Sequence, residues 1–184
     1  MYAEQALTAL RTQREDDGGA DALARAARGG DLDAFEGLVR RFQRRVFGLA
    51  FQHLRDADEA QDLAQEIFVR LYRYLGQYDP ARPFEPWFWR LAANAAATYR
   101  RKRPAPSAEL PLTAAAEVSP DTLPLEQALA DLSADLRLPI LLHYYLDLPV
   151  DAVAASMKLS VSAVKSRLHR ARAILRRVLV EEDS

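Results

Sequence analysis

With 184 residues, no cysteine and a formal net charge of −1, the chain is long enough for one domain or two small ones. The absence of thiols excludes disulfides and thiolate metal centres and points to an intracellular, cytoplasmic setting. No apolar run approaches the ~18 residues of a membrane-spanning helix, the first residues lack the basic-then-apolar order of a secretory signal, and the balanced charge gives no bulk attraction to nucleic acid.

Residues 1–30 are rich in Ala, Asp and Gly and are expected to form a loose, flexible extension, with one short helix from about Ala20 to Arg28. From Asp31 the pattern tightens. Asp31 or Asp33 can cap a helix, and Phe35, Leu38, Val39, Phe42, Val46 and Leu49 recur at helical spacing as far as His53. A second helix is predicted from Asp56 to Leu75. Acids crowd its first turns and Arg70 and Arg73 its last, as the helix dipole favours. Ala60, Leu63, Ala64, Ile67, Phe68, Leu71 and Leu75 form its inward stripe. "GQYDPARPFEP" then breaks the regularity, and a third helix is expected from about Pro86 until Pro104 stops it.

Residues 104–124 hold five prolines and no sustained periodicity, and read as an extended linker. Residues 125–184 are helical again, with Pro139 expected early in its helix, where a missing N–H is harmless. The fold class is therefore all-α: two small helical domains, 31–103 and 125–184, joined by a Pro/Ala-rich linker.

The last of these segments carries the strongest local signal. "SVSAVKSRLHRARAILRR", residues 160–177, has six Lys or Arg and no acid. On a helix Leu168, Ala171, Leu175 and Val178 form a buried stripe, which leaves the cations on the exposed faces. Upstream, "PVDAVAASMKLS" supplies a short helix from about Val150 to Met157 and a turn, with Ser160 as cap of the next helix. That is helix-turn-helix grammar, in which the second helix enters the DNA major groove. Lys158 occupies the turn where glycine is usual, so a turn without positive φ is expected.

These residues resemble the DNA-reading region 4 of the ECF (extracytoplasmic function) sigma factors of bacterial RNA polymerase. Independently, "DLAQEIFVRLYRYL" resembles sigma region 2, and "PWFWRLAANAAATYRRKR" the adjoining region that meets the promoter −10 element. The three motifs stand in the family's order over roughly residues 31–180. The resemblance implies a promoter-specificity subunit without catalysis, cofactor, metal or small-molecule substrate. Its implied partners are core RNA polymerase, through the β′ clamp coiled coil and the β flap, promoter DNA, and an anti-sigma factor that could hold it at the membrane.

The resemblance also implies roles for particular residues. Asp62, Gln65 and Glu66 match the family's polymerase-gripping positions, and i, i+3, i+4 spacing puts them on one helical face. The loop from Gln77 to Glu85 matches the segment that captures a flipped −10 base, with Tyr78, Phe84 or Trp87 as stacking partners or as core. Asn94 matches a position near the −10 DNA or bridges helices as an amide. Arg100, Arg101, Lys102 and Arg103 read as phosphate contacts. Lys165, Ser166, His169 and Arg170 match positions facing the −35 element, with Arg167 and Arg172 nearer phosphate. His169 and Arg100 depart from the residue types usual in the family.

Two other readings compete. A stand-alone homodimeric helix-turn-helix regulator explains the basic helix but leaves "DLAQE" and "PWFW" without purpose. A metal site at Asp56, Asp58, Glu59, Asp62 and Glu66 has no ligand on a second element to complete it, and His53, His143 and His169 are scattered.

Overall fold

The computed structural model describes residues 17–102 and 123–181, and every regular element among them is helical. The first half comprises α1 (Asp17–Arg28), α2 (Leu32–Leu54), α3 (Ala57–Tyr74), a short 3-10 turn (Leu75–Gln77) and α4 (Phe84–Lys102). The second comprises α5 (Leu123–Asp131), α6 (Ala134–Ile140), a π-helical segment (Leu141–Tyr145), α7 (Val150–Met157) and α8 (Val161–Glu181). The expected linker lies largely outside the described residues.

Capping sets where the first helices start. The Asp31 carboxylate accepts the Ala34 N–H at 3.0 Å, and the Asp56 carboxylate accepts the Glu59 N–H at 2.8 Å. Between α2 and α3, Arg55 takes a left-handed conformation (φ 62°) and returns its N–H to the Phe51 carbonyl at 2.8 Å. That reversal lets α2 and α3 lie side by side after only two intervening residues. Leu38, Phe42, Val46 and Leu49 of α2 meet Leu63, Ile67 and Leu71 of α3 and Phe84, Phe88 and Ala92 of α4 in the core.

Two expectations are corrected. The short helix expected from about Ala20 to Arg28 is present as Asp17–Arg28, but it is packed rather than loose, with Ala20 and Ala24 fully buried, because α1 has an alanine face that fits closely on α2; residues 1–16 lie outside the described residues. Pro139 lies in the last turn of α6 rather than early in a helix, since α6 begins at Ala134. Pro139 has no N–H for the carbonyl one turn back. The backbone widens directly after it, where the Leu146 N–H reaches the Leu141 carbonyl five residues back at 3.1 Å.

The apolar core does not stop between the halves. Helix α4 lies along α7, and α2 contacts α5, α6 and the π segment. Arg137 of α6 joins them. Its buried guanidinium donates to the carbonyls of Leu129 (2.8 Å), Ala130 (2.6 Å) and Leu132 (2.6 Å), around the end of α5. It also reaches the carbonyls of His53 (3.3 Å) and Gln52 (3.5 Å), in the last turn of α2. The last carbonyls of a helix have no intrahelical donor and carry partial negative charge, so one planar five-donor cation serves two helix ends. Nearby the Tyr145 hydroxyl donates to the Arg45 carbonyl at 3.3 Å, above Gly48, where any β-carbon would sit 2.8 Å from that hydroxyl.

Candidate polymerase and promoter surfaces

The acidic motif occupies the outer face of α3. Asp62 and Gln65 are exposed, and Glu66 is partly exposed, its Oε1 held by Arg70 through Nε (2.9 Å) and Nη2 (2.7 Å). Continuing along the same face come Val69 and Tyr72, 40% and 61% exposed. The Tyr72 ring is steadied edge-on by Phe35 of α2, with centroids 5.2 Å apart. The surface thus runs from carboxylate and amide to apolar within three turns. Sequence reading passed over Val69 and Tyr72, although an apolar pair on the otherwise polar side of an amphipathic helix is a legible signal.

The −10 candidates divide. Asn94 is exposed on α4, and its carbonyl accepts the Thr98 hydroxyl at 2.7 Å. Tyr78 is not available to DNA. It is 1% exposed, its hydroxyl donates to the Arg82 carbonyl at 2.7 Å, and its ring meets Phe84 and Trp87 at 5.3 and 5.5 Å. Burial, and then the Asp21 carboxylate, push its phenol above the usual range. Phe84 is also core. Trp87, half-buried beside both, is the ring at the solvent edge of this cluster. Tyr78 shapes the loop from within because the turn folds its side chain under residues 79–83, all exposed. Arg100, Arg101 and Lys102 end α4, but their side chains, like all of Arg103, lie outside the described residues.

Trp89 fixes the register of α4 on α2. Its Nε1 donates to the Glu85 carboxylate at 3.3 Å, that carboxylate pairs with Arg45 at 3.4 Å, and the Arg45 guanidinium lies 4.6 Å from the Trp89 ring centroid. Arg45 belongs to a basic cluster with Arg40, Arg41 and Arg44 that sequence reading did not single out.

The helix-turn-helix is formed by α7 and α8. Lys158 adopts φ 55° and ψ 46°, so the turn does use the left-handed region and the expectation of another conformation is corrected. The reason lies in the cap. Leu159 N–H reaches the Ala154 carbonyl at 2.9 Å and Lys158 N–H the Ala155 carbonyl at 3.3 Å, a paired closure that only a left-handed residue permits. Because glycine takes this conformation without a Cβ penalty, Lys158→Gly is expected to stabilise the protein by about 0.5–1 kcal/mol in urea denaturation. A loss of stability would show that the Lys158 side chain contributes more than the turn costs.

Ser160 caps α8, accepting the Ala163 N–H at 3.1 Å. Val164, Leu168, Ala171 and Leu175 are buried, which turns Lys165, Ser166, His169 and Arg170 outward together. Arg167 and Arg172 are half-buried on the flanks, the first 3.9 Å from the Asp135 carboxylate of α6 and the second donating to the Leu168 carbonyl at 3.3 Å. Among the described residues no three His, Asp or Glu side chains converge on a common point, and no helix is long and apolar enough to cross a membrane.

Residues 38–104 match the Sigma-70 region 2 family and residues 122–175 match Sigma-70, region 4. The chain is 31% identical to the RNA polymerase sigma-H factor of Pseudomonas aeruginosa, across 92% of its own length and 96% of the relative's. The chain belongs to the ECF sigma factors of the sigma-70 family. Among curated ECF sigma factors it is 31% identical to SigW of Bacillus subtilis (82% of this chain, 91% of that one). With sigma-E of Escherichia coli the identity is 32% (78% and 85%). CnrH, solved in complex with the cytosolic domain of CnrY, superposes with a TM-score of 0.61 at 29% identity, covering 90% of this chain and 99% of CnrH. RpoE of Bartonella quintana, solved with the anti-sigma factor NepR, shares the fold with a TM-score of 0.59 at 22% identity, covering 79% and 96%. In this ECF sigma factor region 2 spans most of α2 through α4, region 4 spans α5 into α8, and α1 precedes the region 2 match.

Proposed function

We propose that the protein acts without chemistry of its own, placing core RNA polymerase on promoters through three exposed surfaces on separate helices. Asp62, Gln65 and Glu66 of α3 engage the β′ clamp coiled coil. Asn94, the loop from Gln77 to Glu85 and the basic end of α4 engage opened −10 DNA. Lys165, Ser166, His169 and Arg170 face the −35 major groove, with Arg167 and Arg172 on phosphate. The observation that carries this reading is the separation of charge by helix face: outward acids on α3 and outward cations on α8. It reconciles two highly charged partners with a net charge of −1. The complexes of RpoE with the anti-sigma factor NepR and of CnrH with the cytosolic domain of CnrY support an anti-sigma partner here too.

The geometry adds a requirement. By their numbering the −35 and −10 elements lie roughly 25 base pairs apart, about 80 Å along B-form DNA. Helix α7, which leads straight into α8, lies against α4. Both promoter elements can therefore be engaged only after the halves part, tethered by the chain between Lys102 and Leu123, which can extend ~70 Å.

Run-off transcription with purified core polymerase on a promoter library tests the reading, and selective initiation dependent on this protein is the expected result. Arg170→Ala is expected to weaken −35-dependent initiation about 5- to 100-fold while leaving core affinity unchanged. Equal loss of both would defeat the division of labour between α3 and α8.

A further inference from the structure

Helix α1 lies before the region 2 match and has no part in the surfaces assigned above. Yet it is held firmly, with Ala20 and Ala24 fully buried. Two of its polar side chains reach the segment that joins α3 to α4. The Asp21 carboxylate accepts the backbone N–H of Phe84, the first residue of α4, at 2.8 Å across 63 positions of sequence. The Arg28 Nε donates to the Gly76 carbonyl, in the 3-10 turn, at 3.5 Å. These contacts bracket the base-capture loop, one at each end.

The loop needs the outside help. A helix start leaves its first N–H groups without intrahelical acceptors, and the residue before α4 would normally supply a capping oxygen from its side chain. That residue is Pro83, which has none. Asp21 supplies the cap from another helix, and its negative charge suits the positive end of α4. Between the brackets the loop closes on itself. Asp79 accepts the Ala81 N–H at 3.0 Å and pairs with Arg82 at 3.4 Å, while Tyr78 donates to the Arg82 carbonyl beneath. The result is an exposed tip, residues 79–83, whose interior and both ends are fixed, with Trp87 at its side.

We propose that α1 is a positioning element for promoter opening, in which Asp21, seconded by Arg28, holds the 77–83 loop at the depth where it meets the unpaired −10 base. The proposal rests on the assignment of that loop to −10 DNA. Asp21 touches no nucleic acid in it and acts through Phe84 and the loop.

The test compares full-length Asp21→Ala, Asp21→Asn and a loop variant with residues 79–82 replaced by Gly and Ser, each as holoenzyme. 2-Aminopurine fluorescence at the −10 positions follows opening on a fully paired promoter and on one premelted across −10, and run-off measures preference among the four bases at the captured position. Asp21→Ala is expected to slow opening of the paired promoter about fivefold to tenfold and to flatten base preference, with core affinity unchanged. Asparagine, which also caps, should restore most of both. Unchanged opening and base preference in Asp21→Ala, with the loop variant impaired, would overturn the brace and leave the loop assignment standing. An inert loop variant would overturn the loop assignment and the brace with it. Failure of asparagine to rescue, together with loss of core affinity in Asp21→Ala, would reduce Asp21 to a fold-maintaining residue and also overturn the proposal.

Discussion

Replacing Asp62 and Glu66 together by arginine is expected to abolish measurable binding to core polymerase, a loss of about 100-fold or more. Charge reversal converts attraction into repulsion across a docking face, and truncation of central charged contacts alone commonly costs 2 kcal/mol or more. The two positions differ in kind. Asp62 is exposed, and Glu66, less exposed, is oriented by Arg70 at 2.7 Å. Glu66→Arg therefore also sets two guanidiniums one turn apart, worth a few tenths of a kcal/mol in helix stability. Surface changes of this sort leave the fold intact, so unaltered thermal unfolding is the control. Competition of the variant against wild type for core polymerase reads the result, and retained affinity would move the polymerase surface off α3.

The second large effect concerns Arg137. Arg137→Met removes the donor from buried carbonyls at the ends of α5 and α2, and should cost about 3–5 kcal/mol. For a chain of this size that lowers the melting temperature by roughly 10 °C. Arg137→Lys should recover little, because a compact ammonium has three donors and cannot span carbonyls spread across two helix ends. A stability change below about 1 kcal/mol would show that water replaces the guanidinium at no cost. Because the same side chain bridges the halves, the methionine variant should also open more readily. Energy transfer between dyes on exposed positions of α3 and α8 would fall in the free protein, where wild type stays close.

Much of this was legible before any coordinates. Asp31, Asp56 and Ser160 announce helix starts by a local rule, since a cap needs only a side-chain oxygen next to its own helix. The stripes of α2, α3 and α8 follow from periodicity alone, and the order of "DLAQE", "PWFW" and "VKSRLHRAR" carried the family. Two misreadings were local, the left-handed cap at Lys158 and the helix start that puts Pro139 in a last turn; what else the sequence hid concerned groups whose surroundings come from other elements. Asp21 caps a helix 63 positions away. Tyr78 belongs to a turn that is exposed on one side and core on the other, which spacing within a loop cannot reveal. Arg137, one more cation in the sequence, is buried because two helix ends converge on it.

By itself, then, the sequence determined the helices, the two-part organisation and the faces on which charge is displayed, because these depend on contacts between residues three or four apart. Only the tertiary structure decided which polar groups face inward, that the halves share one core, and that the N-terminal helix contacts both ends of the segment between Gly76 and Phe84. Those outcomes depend on where helix ends and their unpaired backbone groups meet in space, and no local periodicity encodes that.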